Sequence, residues 1–384
     1  MRFEFATATR IIVGPGTLRE VGPLAREFGL RALVVTGSEV RRAGPLLAVL
    51  REHGLASSLL SVRGEPGLET VSQGVALAKG ENCGLIIALG GGSVLDAGKA
   101  IAAMLTNSGE LLDYLEVVGR GKALTQASAP FIAIPTTAGT GSEVTRNAVL
   151  ASAEHRVKVS LRSPLMLAKA AVVDPELTYD LPPAVTASTG LDALTQLIEP
   201  YVSSRANPMT DGVCVEGMRR AARSLRVAFE EGSNAAARMD MAVASLFGGL
   251  ALANAGLGAA HGFAGPIGGE FPAPHGAVCA ALLPHVMEAN RRALRQRLPG
   301  ADSLRRYDEV ARLVTSSATA TAEAGVEWVR KVVADLRIPS LSHYGLKPEH
   351  TAGLVQKASQ ASSMKANPIT LTPEELAGIL EQAL

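Results

Sequence analysis

Leu85-Ile86-Ile87-Ala88-Leu89-Gly90 runs directly into Gly91-Gly92-Ser93-Val94-Leu95-Asp96-Ala97-Gly98-Lys99. A short apolar run bounded by glycine reads as a strand buried on both faces. The stretch that follows, about 94–105, reads as a helix. A strand that turns through glycines into a helix leaves backbone N–H groups free at the helix start, and these favour an anion such as a pyrophosphate. Ser93 is placed to cap the helix or to bond a phosphate oxygen. Asp96, read in the first turn, suits the helix dipole. The turn is neither GxGxxG, because position 95 is Leu, nor a Walker loop, because positions 93 and 100 are Ser and Ala. A tight turn with no ligand would carry the same local signature.

Outward from this turn the same alternation continues. ALVVTG (32–37) reads as a strand, 41–53 as a helix, 57–62 as a weaker strand and 69–81 as a helix. FIAIP (131–135) and AAVVDP (170–175) add two strands, and 145–160 alternates in two arms around SAEH, as a hairpin does. Strands alternating with helices predict a parallel, Rossmann-like sheet covered on both faces. The loop Pro135-Thr136-Thr137-Ala138-Gly139-Thr140-Gly141-Ser142-Glu143-Val144-Thr145 then follows a strand, as the glycine turn does. Ligands of open α/β sheets bind beyond the carboxyl ends of the strands, so the glycine turn, with Gly91, Gly92, Ser93 and Asp96, and the polar loop that begins at Thr136 are a candidate nucleotide site.

Beyond Pro182-Pro183 the chain becomes Ala-, Leu- and Arg-rich with helical periodicity. The expected organisation is an α/β nucleotide-binding domain over 1–180 and an all-helical domain over 181–384. Residues 241–260 carry no charge and could span a bilayer by length. They are mostly Ala and Gly, so a buried helix of a soluble protein is the expectation.

A net charge of +1 on 384 residues argues against nucleic-acid or acidic-membrane binding. Cys83, Cys214 and Cys279 are few and dispersed, and read as small buried apolar side chains in a reducing compartment. MRFEFATATR has no apolar signal core, so a cytoplasmic location is expected. His53, His155, His343 and His350 fall in segments read as surface.

Asp192 and Gln196 are four apart on a predicted helix and share a face. His261 and His275 are each followed by Gly in apolar surroundings. One carboxylate and two imidazoles are plausible ligands for a divalent first-row metal, although dispersed histidines also occur as ordinary core residues.

The ordered motifs GGGSxxDxxK, PTTAGTGSEVT, DPEL, TGLDALTQLIEPY, NAGLGAAHGFAGPIGG and PHGAVCAALLPHVM resemble the iron-containing (group III) alcohol dehydrogenases over about residues 10–380. The resemblance implies that architecture, shared with dehydroquinate synthase, in a homodimer or higher homo-oligomer. It implies hydride transfer between NAD or NADP and a small alcohol, aldehyde or ketone, assisted by a divalent metal. It maps metal ligands to Asp192, His261 and His275, with a fourth at 196, and cofactor contacts to Thr137, Thr140 and Lys158, the last near the nicotinamide ribose. Where the family has His at 196 this chain has Gln, and an additional family His corresponds to Gly265. A neutral amide oxygen holds iron(II) less well than imidazole does, while three protein ligands suffice for catalytic zinc. Zinc is therefore expected over iron. Gly37 stands where NAD-preferring relatives carry an acidic residue, and Ser38 follows it, so NADP should be accepted at least as well as NAD. Three other readings stay open: a metal-free reductase like the maleylacetate reductases, a non-redox enzyme like dehydroquinate synthase, and a nucleotide-binding protein impaired in catalysis.

Overall fold

The structure is a computed structural model and describes residues 2–116, 118–152 and 157–384. His155 and the tip of the expected hairpin lie outside the described residues. The chain divides into two compact units. One comprises Ala6–Thr137 with Gly141–Thr178, and the other Tyr179–Leu384 with Ala138–Thr140 and the extreme N-terminus.

The first unit is a six-stranded sheet of β1 (Arg10–Val13), β2 (Arg31–Thr36), β3 (Ala56–Ser61), β4 (Leu85–Gly90), β5 (Phe131–Pro135) and β8 (Ala170–Val173). Its order is β1-β8-β5-β4-β2-β3, and every pairing is parallel. The strand β1, RIIV, was not legible as one in the sequence. β6 (Asn147–Ser152) and β7 (Val157–Arg162) form the expected antiparallel pair. The helices of this unit are α1 (Val21–Arg26), α2 (Gly44–Glu52), α3 (Leu68–Gly80), α4 (Gly92–Thr106) and α5 (Leu111–Tyr114). The helix expected from 41 opens as a 3-10 turn over Val40–Ala43. Parallel strands covered by helices must be apolar on both faces; β4 is buried at every residue, and β2 at all but Arg31. From β2 the chain passes to β3 on one side and then returns to β4 on the other. The carboxyl ends of β2 and β4 therefore flank a topological switch point, where such sheets bind ligands.

The second unit is all-helical: α6 (Pro183–Val202), α7 (Pro208–Glu230), α8 (Ala235–Ala255), α9 (Ala259–Glu270), α10 (His275–Arg297), α11 (Asp302–Thr315), α12 (Ala322–Asp335), α13 (Thr351–Gln360) and α14 (Pro373–Ala383). Pro183 occupies the first turn of α6, where its missing N–H costs nothing. From Gly190 to Val202 every residue of α6 is buried, and the helix packs against α7, α8 and α10. The uncharged stretch 241–260 is not one helix. It breaks at Gly256, whose φ of +73° ends α8, and α9 begins at Ala259. α8 is long and apolar enough to cross a membrane by length and composition, and 72% of its most apolar window is buried inside the protein.

Candidate functional site

The metal-ligand candidates come from three helices of the second unit. α6 supplies Asp192, α9 supplies His261 near its N-terminus, and α10 begins with His275. The glycine after His275 has a steric reason. A Cβ on Gly276 would sit 2.3 Å from the Ser188 carbonyl oxygen and 3.2 Å from the Asp192 Cβ, so only glycine lets α10 start this close to α6.

Asp192 Oδ1 lies 3.3 Å from His261 Nε2 and 3.9 Å from His275 Nε2. Asp192 and His261 are buried, and neither Asp192 Oδ1 nor His261 Nε2 has a hydrogen-bond partner. Two buried polar atoms left unsatisfied at this separation carry a large desolvation cost unless a cation joins them. Burial alone would push the Asp192 carboxyl up, but the close His261 imidazole and the His275 charge outweigh it and hold it below the usual carboxylate range. Burial alone would lower both imidazoles. The surrounding Cys279, Glu199 and Asp192 instead raise His261 well above its ordinary value, and Cys279 and Asp192 raise His275. The site sets a buried carboxylate and a thiol beside two imidazoles.

Cys279 is a site residue that sequence reasoning missed. Its Sγ lies 3.7 Å from His275 Nε2, and one ligand atom each from Asp192, His261, His275 and Cys279 falls within 4.8 Å of all the others. Read alone, Cys279 was an inert core thiol. The available signal was its spacing: it follows His275 by four residues in one helix and so shares its face. Glu199, also missed, sits 2.7 Å from His261 Nδ1. Gln196 is on α6 one turn beyond Asp192. Its Oε1 is buried without a partner and lies against α8, 3.3 Å from where a Gly248 Cβ would be.

In the first unit, Gly91 ends the turn and Gly92 opens α4. Gly90 and Pro135 are register partners, so the two polar loops leave neighbouring strands at one edge. They meet: the Thr137 hydroxyl oxygen is 3.5 Å from the position of a Gly91 Cβ. Thr136 donates its N–H to the Gly90 carbonyl at 3.0 Å. Gly37 and Ser38 follow β2 at the same edge, with Ser38 exposed. Thr140 groups with the helical unit instead.

Asp96 needs correction. It lies beyond the first turn of α4 and faces inward. Its Oδ1 accepts from the Ser142 hydroxyl at 2.6 Å and pairs with Lys99 Nζ at 2.9 Å, while Oδ2 accepts from the Val149 N–H at 2.9 Å. Both oxygens are engaged in tying α4 to the second polar loop and the β6–β7 pair. Lys158, on β7, pairs with Glu65 at 3.0 Å.

Comparison with known proteins decides the family. The profile for iron-containing alcohol dehydrogenase matches residues 8–175, and that for the C-terminal region of the Fe-containing alcohol dehydrogenase family matches 186–384. The chain belongs to the iron-containing alcohol dehydrogenase family. It is 36% identical to a choline dehydrogenase of Bacillus subtilis over 369 residues, 95% of this chain and 90% of that protein. The crystal structure of a 1,3-propanediol oxidoreductase superposes with a TM-score of 0.93 at 34% identity, covering 100% of both chains. A sulfoacetaldehyde reductase from Bifidobacterium kashiwanohense, solved with NAD+, superposes with a TM-score of 0.88 at 28% identity, covering 99% of this chain and 98% of that one. As a member of this family the chain is an NAD(P)-dependent oxidoreductase acting on alcohols and carbonyl compounds. Its Asp–His–His–Cys donor set fits a divalent metal cofactor.

Proposed function

We propose that this enzyme interconverts a small alcohol and its aldehyde or ketone, with a divalent metal held by Asp192, His261, His275 and Cys279. The carrying observation is the convergence of these four donors around two buried, unpartnered atoms 3.3 Å apart. A bound nicotinamide would exchange the hydride, and a bound metal would polarise the substrate oxygen.

The protein's own groups do the rest. Asp192 would bring a negative charge to a bound metal, Cys279 would give up its proton and bind as a thiolate, and the two imidazoles would supply neutral nitrogen donors. A thiolate among the donors favours zinc over iron(II), because sulfur is a soft ligand. Gln196 keeps a buried amide oxygen on the same face of α6 in reserve. The N–H groups of Gly92 and Ser93, at the start of α4, would hold the pyrophosphate, and the Thr137 hydroxyl beside Gly91 would bond it from the neighbouring loop. Gly37 and Ser38 would receive the adenine ribose with no carboxylate at position 37 to repel a 2′-phosphate, so NADP serves at least as well as NAD.

A panel of small alcohols, aldehydes and ketones, read by NAD(P)H absorbance with and without zinc and iron, tests this reading. Metal-dependent turnover supports it. Turnover that survives exhaustive chelation, with no zinc or iron bound on titration, would overturn it in favour of a metal-free reductase.

A further inference from the structure

The His261 imidazole is held between two carboxylates of one helix. Asp192 and Glu199 are seven residues apart on α6, two turns along the same face. Asp192 Oδ1 stands 3.3 Å from Nε2, and Glu199 Oε2 stands 2.7 Å from Nδ1. Glu199 and His261 are both buried.

Glu199 also grips the helix that carries His261. Its Oε1 accepts the Ala260 N–H at 2.7 Å, one of the donors that the start of α9 leaves unpaired. The preceding N–H, of Ala259, goes to Asn367 Oδ1 at 3.1 Å. Asn367 is locked in turn by Asn290, which donates to Asn367 Oδ1 at 3.1 Å and accepts from its Nδ2 at 2.7 Å. The fit is close enough to exclude a side chain: a Cβ on Gly258 would lie 2.9 Å from both Glu199 Oε1 and Asn367 Oδ1.

With an N–H donated to one oxygen and the ring to the other, the Glu199 carboxylate acts as acceptor twice. A ring that donates Nδ1–H to Glu199 leaves Nε2, which faces Asp192, as the nitrogen for a metal. Nε2 is the nitrogen found buried without a partner.

We propose that Glu199 is a positioning residue for the ligand nitrogen of His261. Its carboxylate fixes the Nδ1–H tautomer and the ring plane, and the same carboxylate sets the ring's height by holding the first turn of α9. The inference rests on reading the site as a metal centre. A carboxylate behind a ligating imidazole orients it and raises its basicity, and losing such a partner weakens metal binding about 10–100-fold.

The test is zinc affinity, measured by competition with a chromophoric chelator, for the wild type, Glu199→Gln and Asn367→Ala. The amide of Glu199→Gln cannot accept from both the ring and the Ala260 N–H, so zinc binding should weaken about 10–100-fold. Asn367→Ala loosens the same helix start without touching the ring, so it should lower thermal stability with a much smaller loss of affinity. Unchanged zinc affinity in folded Glu199→Gln, or equal losses in the two variants, would overturn the proposal. If Glu199→Gln does not fold, imidazole 15N resonances of the zinc-loaded wild type decide, with the His261 signals assigned by their loss in His261→Asn. A protonated Nδ1 supports the proposal, and a metal-bound Nδ1 overturns it. A wild type that binds no zinc defeats the metal reading itself, and this inference with it.

Discussion

The Cys279 sulfur lies 3.7 Å from His275 Nε2, one helical turn along α10. That spacing turns a cysteine outside any CxxC pattern into a fourth donor, in a chain whose position 196 offers only an amide. Cys279→Ala should therefore weaken zinc binding at least about 100-fold, beyond the range for an outer partner. Gln196→His added to that variant should restore much of the loss, by placing an imidazole one turn beyond Asp192. Chelator competition on the two variants checks both steps, and a Cys279→Ala protein with wild-type affinity would remove the sulfur from the site.

Gly90 and Gly91 are adjacent but serve different ends. A Cβ on Gly90 would lie 2.6 Å from Val94, whereas on Gly91 it would meet only Thr137, at 3.5 Å. The Gly91 backbone, at φ −74° and ψ −176°, is open to any residue. Gly90→Ala should therefore destabilise the fold by about 1–3 kcal/mol. Gly91→Val should leave thermal stability near that of the wild type and weaken cofactor binding at least about tenfold, because its side chain fills the space where phosphate meets the turn. Calorimetric unfolding together with NAD(P)H fluorescence titration separates the two effects.

Glu143 is buried, and its Oε2 has no hydrogen-bond partner. Burial raises its carboxyl to about 7 from an ordinary 4.5, against the opposing effects of its own backbone hydrogen bond and the Lys99 charge. The folded state thus prefers the protonated form. Its contribution to stability is complete below the unfolded value of 4.5 and is lost as pH rises through 7. Glu143→Gln stays neutral throughout. The variant should match the wild type in the acid range and exceed it by up to about 3 kcal/mol above neutrality. Melting temperatures measured across this range check the sign; a gap that widens toward acid would contradict it.

Much of the first unit was legible because its strands are buried on both faces. ALVVTG, LIIALG and FIAIP are apolar runs that only a covered parallel sheet can use. RIIV was not, because four residues after an uncharacteristic start carry too little pattern, and its place beside β8 is a long-range pairing. Asp96 was misread for the same kind of reason. Helical spacing places it after the glycine turn, but its partners Ser142 and Val149 are 46 and 53 residues away. Asp192, His261 and His275 could be found through ordered motifs, whereas Cys279 and Glu199 sit within apolar runs, and only packing shows which way they face.

On the reading proposed above, cofactor choice turns on Gly37. A carboxylate there would repel a 2′-phosphate and bond the ribose hydroxyls of NAD. Gly37→Asp should lower kcat/KM for NADP relative to NAD by about tenfold or more, an effect on the order of 1.4 kcal/mol. Its nearest obstacle is Val94, 4.0 Å from the new Cβ, so the fold should accept the substitution. Steady-state kinetics with both cofactors decide, and a wild type strongly selective for NAD would defeat the premise.

Cobalt(II) titration of metal-free protein shows whether the four donors hold a metal, because cobalt reports its ligands by colour. Saturation is expected at a single equivalent per chain, with a sulfur-to-cobalt charge-transfer band in the near ultraviolet. That band should vanish in Cys279→Ser, and cobalt binding should be lost in His261→Ala. No saturable binding, or a spectrum the same in wild type and Cys279→Ser, would contradict a metal centre built from Asp192, His261, His275 and Cys279.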